Sequence, residues 1–179
     1  AAALEGLDAL IVTCRTPPRR IARVRPLLER FVADGGTLAI MGETDPQEWW
    51  PHHRFRRLPV NFTWWRTPGG VSGLEFPNPT HPLFRHVPVE HCQWHYHGGF
   101  EECAGATTVI GSREGLAVLI DDVDTCAPGC VIATGLDPFY HHGAGFMPNA
   151  TRFLQGLLAW LTDGAPRQHP SEPVRARRL

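Results

Sequence analysis

The run Leu7-Asp8-Ala9-Leu10-Ile11-Val12-Thr13 is short, nearly continuously apolar and rich in branched residues, and Thr37-Leu38-Ala39-Ile40-Met41-Gly42 has the same character. Such runs are typical of strands that are buried on both faces of a parallel sheet. Between them, apolar residues from Leu27 to Val32 recur at helical spacing, and Gly35-Gly36 ends the helix. Strand, helix and strand in this order predict a right-handed crossover, with helices packed on a parallel sheet.

Further along the chain, apolar segments separated by Gly, Asp and Pro predict more strands. We expect them at Cys92–His97, Thr107–Ile110, Leu116–Ile120 and Val131–Thr134. A final helix is predicted from Asn149, as its cap, to Thr162, because leucines and Phe153 recur on one helical face. The fold class expected is therefore α/β, with a flavodoxin-like, doubly wound and mostly parallel sheet.

Three regions make up the expected domain organisation. Residues 1–164 form the α/β domain, and within it the Pro- and Trp-rich residues 43–80 form an ordered insertion that covers the sheet edge. Residues 165–179 are expected to be a disordered tail or linker. A doubly wound domain usually opens with a central strand, so the first strand of the sheet could lie outside this chain.

Composition excludes several classes of partner. The 17 basic residues nearly balance the 18 acidic ones, which argues against nucleic acid and anionic membranes as partners. No apolar run approaches the ~20 residues that cross a bilayer. The cysteines are odd in number and no secretory signal is evident, so we expect reduced thiols and a cytoplasmic protein. Assembly as a homo-oligomer, or with other domains of a longer chain, stays open.

Two groups of histidines are the strongest candidates for a site. His95 and His97 share a face if Cys92–His97 is a strand, since alternate residues of a strand point the same way. With His141 and a carboxylate from Asp137 or Glu43, they could hold zinc, or iron in a two-histidine, one-carboxylate site. His95 and His141 are also the candidate catalytic residues. The alternative is that these histidines bond to loops and line a pocket without metal.

Polar and aromatic residues nearby predict a ligand pocket. Trp64, Trp65 and Trp94 have flat apolar faces that suit stacking on a sugar ring or a nucleobase, although packing in a core explains them equally well. His97, Asp137 and His142 are the expected polar contacts of such a ligand. Asp137-Pro138 follows a predicted strand, and because the proline is expected to prevent a helix there, the carboxylate should project from a turn.

Several segments, in their order along the chain, carry a resemblance to a known superfamily. They are Gly6-Leu7-Asp8-Ala9-Leu10-Ile11-Val12, Leu28–Leu38, His81-Pro82-Leu83-Phe84, Val131–Asp137 and the helix end Leu158-Ala159-Trp160-Leu161. This order resembles the class I glutamine amidotransferase-like superfamily, most closely its ThuA-like, trehalose-utilisation branch. The resemblance implies a pocket at the carboxyl edge of the sheet, and a small polar ligand such as a carbohydrate.

One departure from that superfamily bears on activity. Active amidotransferases present a nucleophilic cysteine in the turn that corresponds to Gly42-Glu43-Thr44-Asp45, and this turn contains no thiol. The resemblance therefore implies a domain without amidotransferase activity. Two alternatives to a ligand-binding domain stay open: a metal- or histidine-dependent hydrolase or isomerase, and a structural or interaction domain of a larger protein. Whether the chain is an enzyme is left undecided by the sequence.

Overall fold

The computed structural model describes residues 4–59 and 64–163, apart from the side chain of Trp65. The strands are β1 (Ala9–Val12), β2 (Thr37–Met41), β3 (Phe55–Arg57), β4 (Leu74–Glu75), β5 (Gly98–Phe100), β6 (Thr107–Ser112), β7 (Ala117–Asp122) and β8 (Cys130–Thr134). The helices are α1 (Pro18–Ala22), α2 (Arg25–Ala33), α3 (Pro138–Ala144) and α4 (Pro148–Thr162). Short 3-10 turns lie at Pro46–Glu48, Trp64–Arg66, Pro82–Arg85 and Val89–Cys92.

The strands form one curled sheet in a mixed α/β domain. Its order is β1-β2-β8-β7-β5-β3, with β6 also paired to β7 and β4 to β6. Of the seven pairings between described strands, only β1 with β2 and β2 with β8 are parallel. The prediction of a mostly parallel sheet is therefore wrong. Short turns, without a crossover helix, join β6 to β7 and β7 to β8, and such connections pair strands antiparallel.

The sheet buries both of its faces, as the apolar runs predicted. Along β2, Leu38 and Ile40 pack on the side of α2 with Phe31, whereas Ala39 and Met41 pack on the side of α4. All four β2 residues are fully buried. The burial of both faces explains why β2 is apolar from Leu38 to Met41.

The region 43–80 contributes to the sheet itself, since β3 pairs with β5 and β4 with β6. Its two adjacent tryptophans, Trp49 and Trp50, are buried in the core on the α2 side. Trp49 Nε1 donates a hydrogen bond to the carbonyl oxygen of Thr44 at 3.0 Å, which fixes the turn after β2. Residues 60–63 of this region lie outside the described part of the chain.

Three predicted elements differ in the structure. Residues 92–97 form no strand: a 3-10 turn ends at Cys92, and regular pairing begins only at Gly98. Helix α3 begins at Pro138, where we predicted a turn, because proline lacks an N–H group that the first helical position does not need. Helix α4 begins at Pro148 after Met147, so Asn149 is not its cap.

The end of α4 at Thr162 agrees with the sequence analysis. The predicted tail, residues 165–179, lies outside the described residues. Among the helices that the structure describes, none combines the length and the apolar character needed to cross a membrane.

Candidate functional site

The carboxyl ends of β1, β2 and β8 meet at one edge of the sheet, which we call the carboxyl edge. The turns that follow these strands carry Cys14, Glu43 and Asp137 respectively. The His95–His97 segment joins this edge because His97 N donates a hydrogen bond to the carbonyl oxygen of Gly135 at 3.3 Å. Ligands of open α/β sheets bind outside such edges.

The structure brings His95, His97 and His141 together in what we call the three-histidine cluster. One ligand atom from each ring lies within 4.8 Å of the corresponding atoms of the other two. The ring centroids of His95 and His141 are 4.4 Å apart, and those of His95 and His97 are 5.4 Å apart. Both histidine groups singled out in the sequence therefore contribute to one cluster.

Helix α3 decides which of two adjacent histidines joins the cluster. Asp137 caps the helix by accepting a hydrogen bond from the Tyr140 N–H at 3.2 Å, and the helix then directs His141 inward. The next residue, His142, points elsewhere because successive helical residues are rotated by ~100°. His142 is exposed, with its Nδ1 atom 3.0 Å from Thr151 Oγ1. The structure thus places His142 outside the three-histidine cluster.

Burial favours the uncharged form of the three imidazoles by lowering the pKa of each. Desolvation, followed by the nearby His141 and His97, lowers the pKa of His95 from 6.5 to about 4. Desolvation also lowers the pKa of His97 and of His141, although carboxylates nearby act in the opposite direction. Within the described residues, neither ring nitrogen of the buried His141 has a hydrogen-bond partner. Neutral imidazoles keep the lone pairs with which they bind metal ions.

The two candidate carboxylates have different roles. Glu43 Oε1 lies 3.7 Å from His97 Nδ1, and Arg57 Nη1 lies 3.4 Å from the same oxygen. A carboxylate beside a ligating imidazole commonly orients the ring. Asp137, by contrast, is buried and caps α3, and it lies outside the group of three mutually close ligand atoms. Asp137 therefore supports the cluster by fixing the helix that carries His141.

Sequence reasoning missed Cys14, which lies beside this cluster. Burial, together with a hydrogen bond to Asp137, raises the pKa of the Cys14 thiol to about 12, so it is a poor nucleophile at neutral pH. The thiol accepts a hydrogen bond from Glu43 N at 3.2 Å. At Gly42, whose φ is +64°, a Cβ atom would lie 2.7 Å from Cys14 Sγ. The signal available in the sequence was that Cys14 directly follows the first predicted strand, Leu7–Thr13, and so lies at the carboxyl end of a strand.

The predicted aromatic wall is only partly at the site. Trp64 lines a cavity of about 220 Å³ together with His95 and Tyr96. Trp94 is 1% exposed and its ring lies 5.2 Å from that of Phe153, so it belongs to the core, where it also contacts His141. The side chain of Trp65 lies outside the described part of the structure.

Two exposed aromatic residues flank the cluster. The rings of Tyr140 and Phe146 lie 5.2 and 5.4 Å from that of His141, and their side chains are 57% and 59% exposed. The guanidinium carbon of Arg15 lies 5.8 Å from the centre of the Tyr140 ring. Large exposed rings beside a polar cluster are typical of a ligand-binding surface.

The fold is similar to those of several solved structures. Cytoplasmic Protein STM3548 from Salmonella typhimurium matches with a TM-score of 0.60 at 13% identity, over 89% of this chain and 73% of that one. Cytoplasmic Protein STM1381 from Salmonella typhimurium LT2 matches with a TM-score of 0.53 at 16% identity, over 88% and 74%. A ThuA-like protein from Bacteroides uniformis matches with a TM-score of 0.54 at 10% identity, over 89% and 71%.

At such identities the likeness extends to the fold alone. The chain therefore has the α/β fold of these proteins, a ThuA-like protein among them. No protein-family model matches the sequence, and no curated protein matches it either.

Proposed function

We propose that this chain is a ThuA-like domain whose three-histidine cluster binds a divalent transition-metal ion. The ion would hold or activate a small polar substrate, and the substrate class that we propose is a carbohydrate. The observation that carries the proposal is the mutual approach of the His95, His97 and His141 ligand atoms to within 4.8 Å. Zinc–nitrogen bonds of ~2.0–2.1 Å place tetrahedral ligand atoms about 3.3 Å apart, so the three nitrogens would move together by at most about 1.5 Å on binding.

The donor set favours zinc or a neighbouring metal. Three imidazoles with one open position are the ligand set of a catalytic zinc site, in which the fourth position holds water or substrate. A buried polar atom without a partner destabilises a protein by about 1–3 kcal/mol, and a metal ion would satisfy a ring nitrogen of His141. Glu43 would act as the outer carboxylate that orients His97.

The surroundings favour a polyhydroxylated ligand. The exposed rings of Tyr140 and Phe146 offer faces on which a sugar ring stacks, and Arg15 and Arg57 offer hydrogen-bond donors at the same edge. The resemblance of the sequence to the ThuA-like branch supports the same ligand class. A bound ion would supply Lewis acidity toward a hydroxyl or carbonyl oxygen, as hydrolases and isomerases use it.

The turn after β2 supports a domain without amidotransferase activity. It carries Glu43 and Thr44 where active amidotransferases have their nucleophile. The nearest thiol at this edge, Cys14, is held in its protonated form by burial and by Asp137, which raise its pKa to about 12. The proposed chemistry therefore belongs to the histidines.

The proposal is tested by equilibrating metal-free protein with zinc and measuring the stoichiometry and the dissociation constant. The variant His141→Ala should weaken binding at the cluster by at least about 100-fold, since losing a ligand exceeds the 10- to 100-fold effect of losing an outer partner. The matched control is His142→Ala, which removes the adjacent imidazole that points away. Equal binding by the two variants would contradict the metal site.

The substrate class is tested separately, by calorimetric titration of the zinc-loaded protein with a panel of mono- and disaccharides. Saccharide binding that weakens in Tyr140→Ala and in Phe146→Ala supports the carbohydrate assignment. Zinc binding at the cluster without any saccharide response would retain the metal site and exclude this ligand class.

A further inference from the structure

A second group of metal-ligating side chains lies at the opposite end of β8. His53, Cys103 and Asp122 each place one ligand atom within 4.8 Å of the other two. Asp122 is paired with Val131, next to the first residue of β8, whereas the three-histidine cluster lies beyond the last residue, Thr134. This group is therefore independent of the proposed function.

A fourth side chain with a ligand atom, Cys126, lies next to this group, although its sulfur is not among the atoms that lie within 4.8 Å of one another. Cys126 Sγ lies 3.5 Å from Asp122 Oδ2, and His53 Nε2 lies 2.9 Å from the same oxygen. Neighbouring ligands of a tetrahedral zinc ion lie roughly 3.3–3.8 Å apart, as follows from bond lengths of 2.0–2.3 Å. The Cys126–Asp122 separation falls in this range, whereas His53 and Asp122 are at hydrogen-bond distance and would move apart by about 0.4 Å on binding. We call His53, Cys103, Asp122 and Cys126 the thiol–carboxylate cluster.

We propose that the thiol–carboxylate cluster is a structural zinc site. Two thiolates, one imidazole and one carboxylate form a four-ligand set of the kind that zinc binds tetrahedrally. Binding would release the proton of each thiol, because a coordinating thiol is deprotonated. The carboxylate would exchange its hydrogen bonds for a bond to the ion, and the His53 proton would move to the other ring nitrogen.

The position of this cluster explains what the ion would do. Its ligands come from the segment before β3, from the segment after β5, from the end of β7 and from the loop that follows β7. An ion there would connect the Trp49–Trp50 region to the sheet through bonds other than apolar packing. His53 and Asp122 are fully buried while both cysteines are partly exposed, so the ion has a route of entry.

The competing explanation is a hydrogen-bonded carboxylate that needs no metal. Asp122 already accepts hydrogen bonds from His53 Nε2 and from the backbone N–H and hydroxyl group of Thr125. Cys126 Sγ also donates a hydrogen bond to Asp122 Oδ2, and Cys103 Sγ donates one to the carbonyl oxygen of His52 at 3.2 Å. Hydrogen bonds do not explain why the sulfur of Cys103 approaches ligand atoms of both His53 and Asp122 to within 4.8 Å. Cobalt distinguishes the explanations, because thiolate ligands give Co²⁺ a charge-transfer absorption that imidazoles alone do not.

The experiment adds Co²⁺ to the reduced, metal-free full chain and records its absorption spectrum. A thiolate-to-cobalt band that disappears in the variant Cys103→Ser/Cys126→Ser supports the proposal. The matched control, Cys14→Ser, lies at the carboxyl edge and should retain the band. Cobalt binding without a thiolate band in the wild type would overturn the proposal, and so would an unchanged band in the double variant.

Zinc stoichiometry separates this site from the three-histidine cluster. The wild type should bind two zinc ions per chain, His141→Ala should keep the thiolate-linked ion, and Cys103→Ser/Cys126→Ser should keep the other. Zinc should also raise the melting temperature of His141→Ala. It should not raise that of the triple variant His141→Ala/Cys103→Ser/Cys126→Ser. An equal rise in melting temperature in His141→Ala and in the triple variant would overturn the proposal of a thiolate-linked zinc site. If instead every sample lacked only the ion expected at the three-histidine cluster, that result would contradict the proposed function.

Discussion

Two kinds of buried histidine occur in this molecule, and they differ in their partners. His53 and His81 lie against the carboxylates of Asp122 and Asp121, at 2.9 and 3.1 Å, on opposite faces of β7. In the three-histidine cluster, His141 has no carboxylate within hydrogen-bond distance among the described residues. His53 and His81 therefore each have a carboxylate partner in the metal-free fold, whereas His141 has none among the described residues, and a metal ion is the partner that we propose for it.

The two aspartates show how the pairing arises from the sequence. Asp121 and Asp122 are consecutive residues of a fully buried strand, so their side chains point to opposite faces of the sheet. Each face then supplies one histidine, from the segment before β3 or from the turn at Pro82–Arg85. Both carboxylates thereby obtain a partner, as buried charged groups require.

The largest expected effect is a contrast in stability. In metal-free protein, His81→Leu should lower the free energy of unfolding by about 3 kcal/mol, because it leaves the buried Asp121 carboxylate without its ring partner. His141→Leu should leave stability unchanged or raise it, since it replaces a buried polar ring that has no hydrogen-bond partner in the described structure. Urea unfolding measures both, and equal losses would remove the distinction between the two kinds of histidine.

The second prediction separates the regions by pH. A base with a lowered pKa binds more protons when unfolded, so His95 makes stability fall as the pH drops from 6.5 to about 4. Burial raises the pKa of Asp122, but hydrogen bonds from His53 and Thr125 outweigh this and hold it at about 2, so its contribution is lost between pH 3.8 and about 2. Stability measured against pH in metal-free protein should show both windows.

In His95→Gln the decline of stability in the upper pH window should become shallower. The decline in the lower pH window, which is due to Asp122, should stay unchanged. A variant that changed both windows equally would indicate a general loss of packing.

The third prediction concerns the carboxylate outside the three-histidine cluster. Glu43→Gln should weaken zinc binding at the cluster about tenfold, at the low end of the effect of outer partners, because Arg57 already holds Glu43. Competition with a chromophoric chelator measures the change. The control is Glu48→Gln, an exposed carboxylate on the same segment. An unchanged affinity in Glu43→Gln would show that Glu43 does not orient His97.

The smallest expected effect concerns the hydrogen bonds that link α4 to the residues before His95. Asn149 Nδ2 donates hydrogen bonds to the carbonyl oxygens of Glu90 and Gln93, at 3.1 and 3.4 Å, just before His95. Asn149→Ala should lower the free energy of unfolding by about 1 kcal/mol. Thermal unfolding compares it with Gln155→Ala, an exposed change on the same helix. Identical melting curves would mean that these hydrogen bonds contribute nothing to stability.

The elements with strong local signals were predictable. The apolar runs around Leu10 and Leu38 became β1 and β2, with α2 between them. Of these two strands, β2 is fully buried and β1 is mostly half-buried. The long amphipathic repeat became α4. Elements governed by distant contacts were not: residues 92–97 form no strand, since His97 bonds to the loop after β8.

The histidine-rich segments were conspicuous in the sequence because imidazoles near one another are rare and chemically specific. Which histidines join the cluster depended on the direction of helix α3, which separates His141 from His142. The role of Asp137 likewise depended on Pro138 starting that helix. The thiol–carboxylate cluster could not be predicted from the spacing of residues in the sequence, since His53 and Asp122 are distant in the chain.

The sequence by itself determined the alternation of buried strands and helices, and the residue types from which a site could be made. Tertiary structure decided that most strand pairs are antiparallel and which buried histidines face a carboxylate. The physical reason is range: periodicity acts between residues within a few positions, whereas a hydrogen bond or a metal site joins groups from remote segments that only the folded chain brings within a few ångströms.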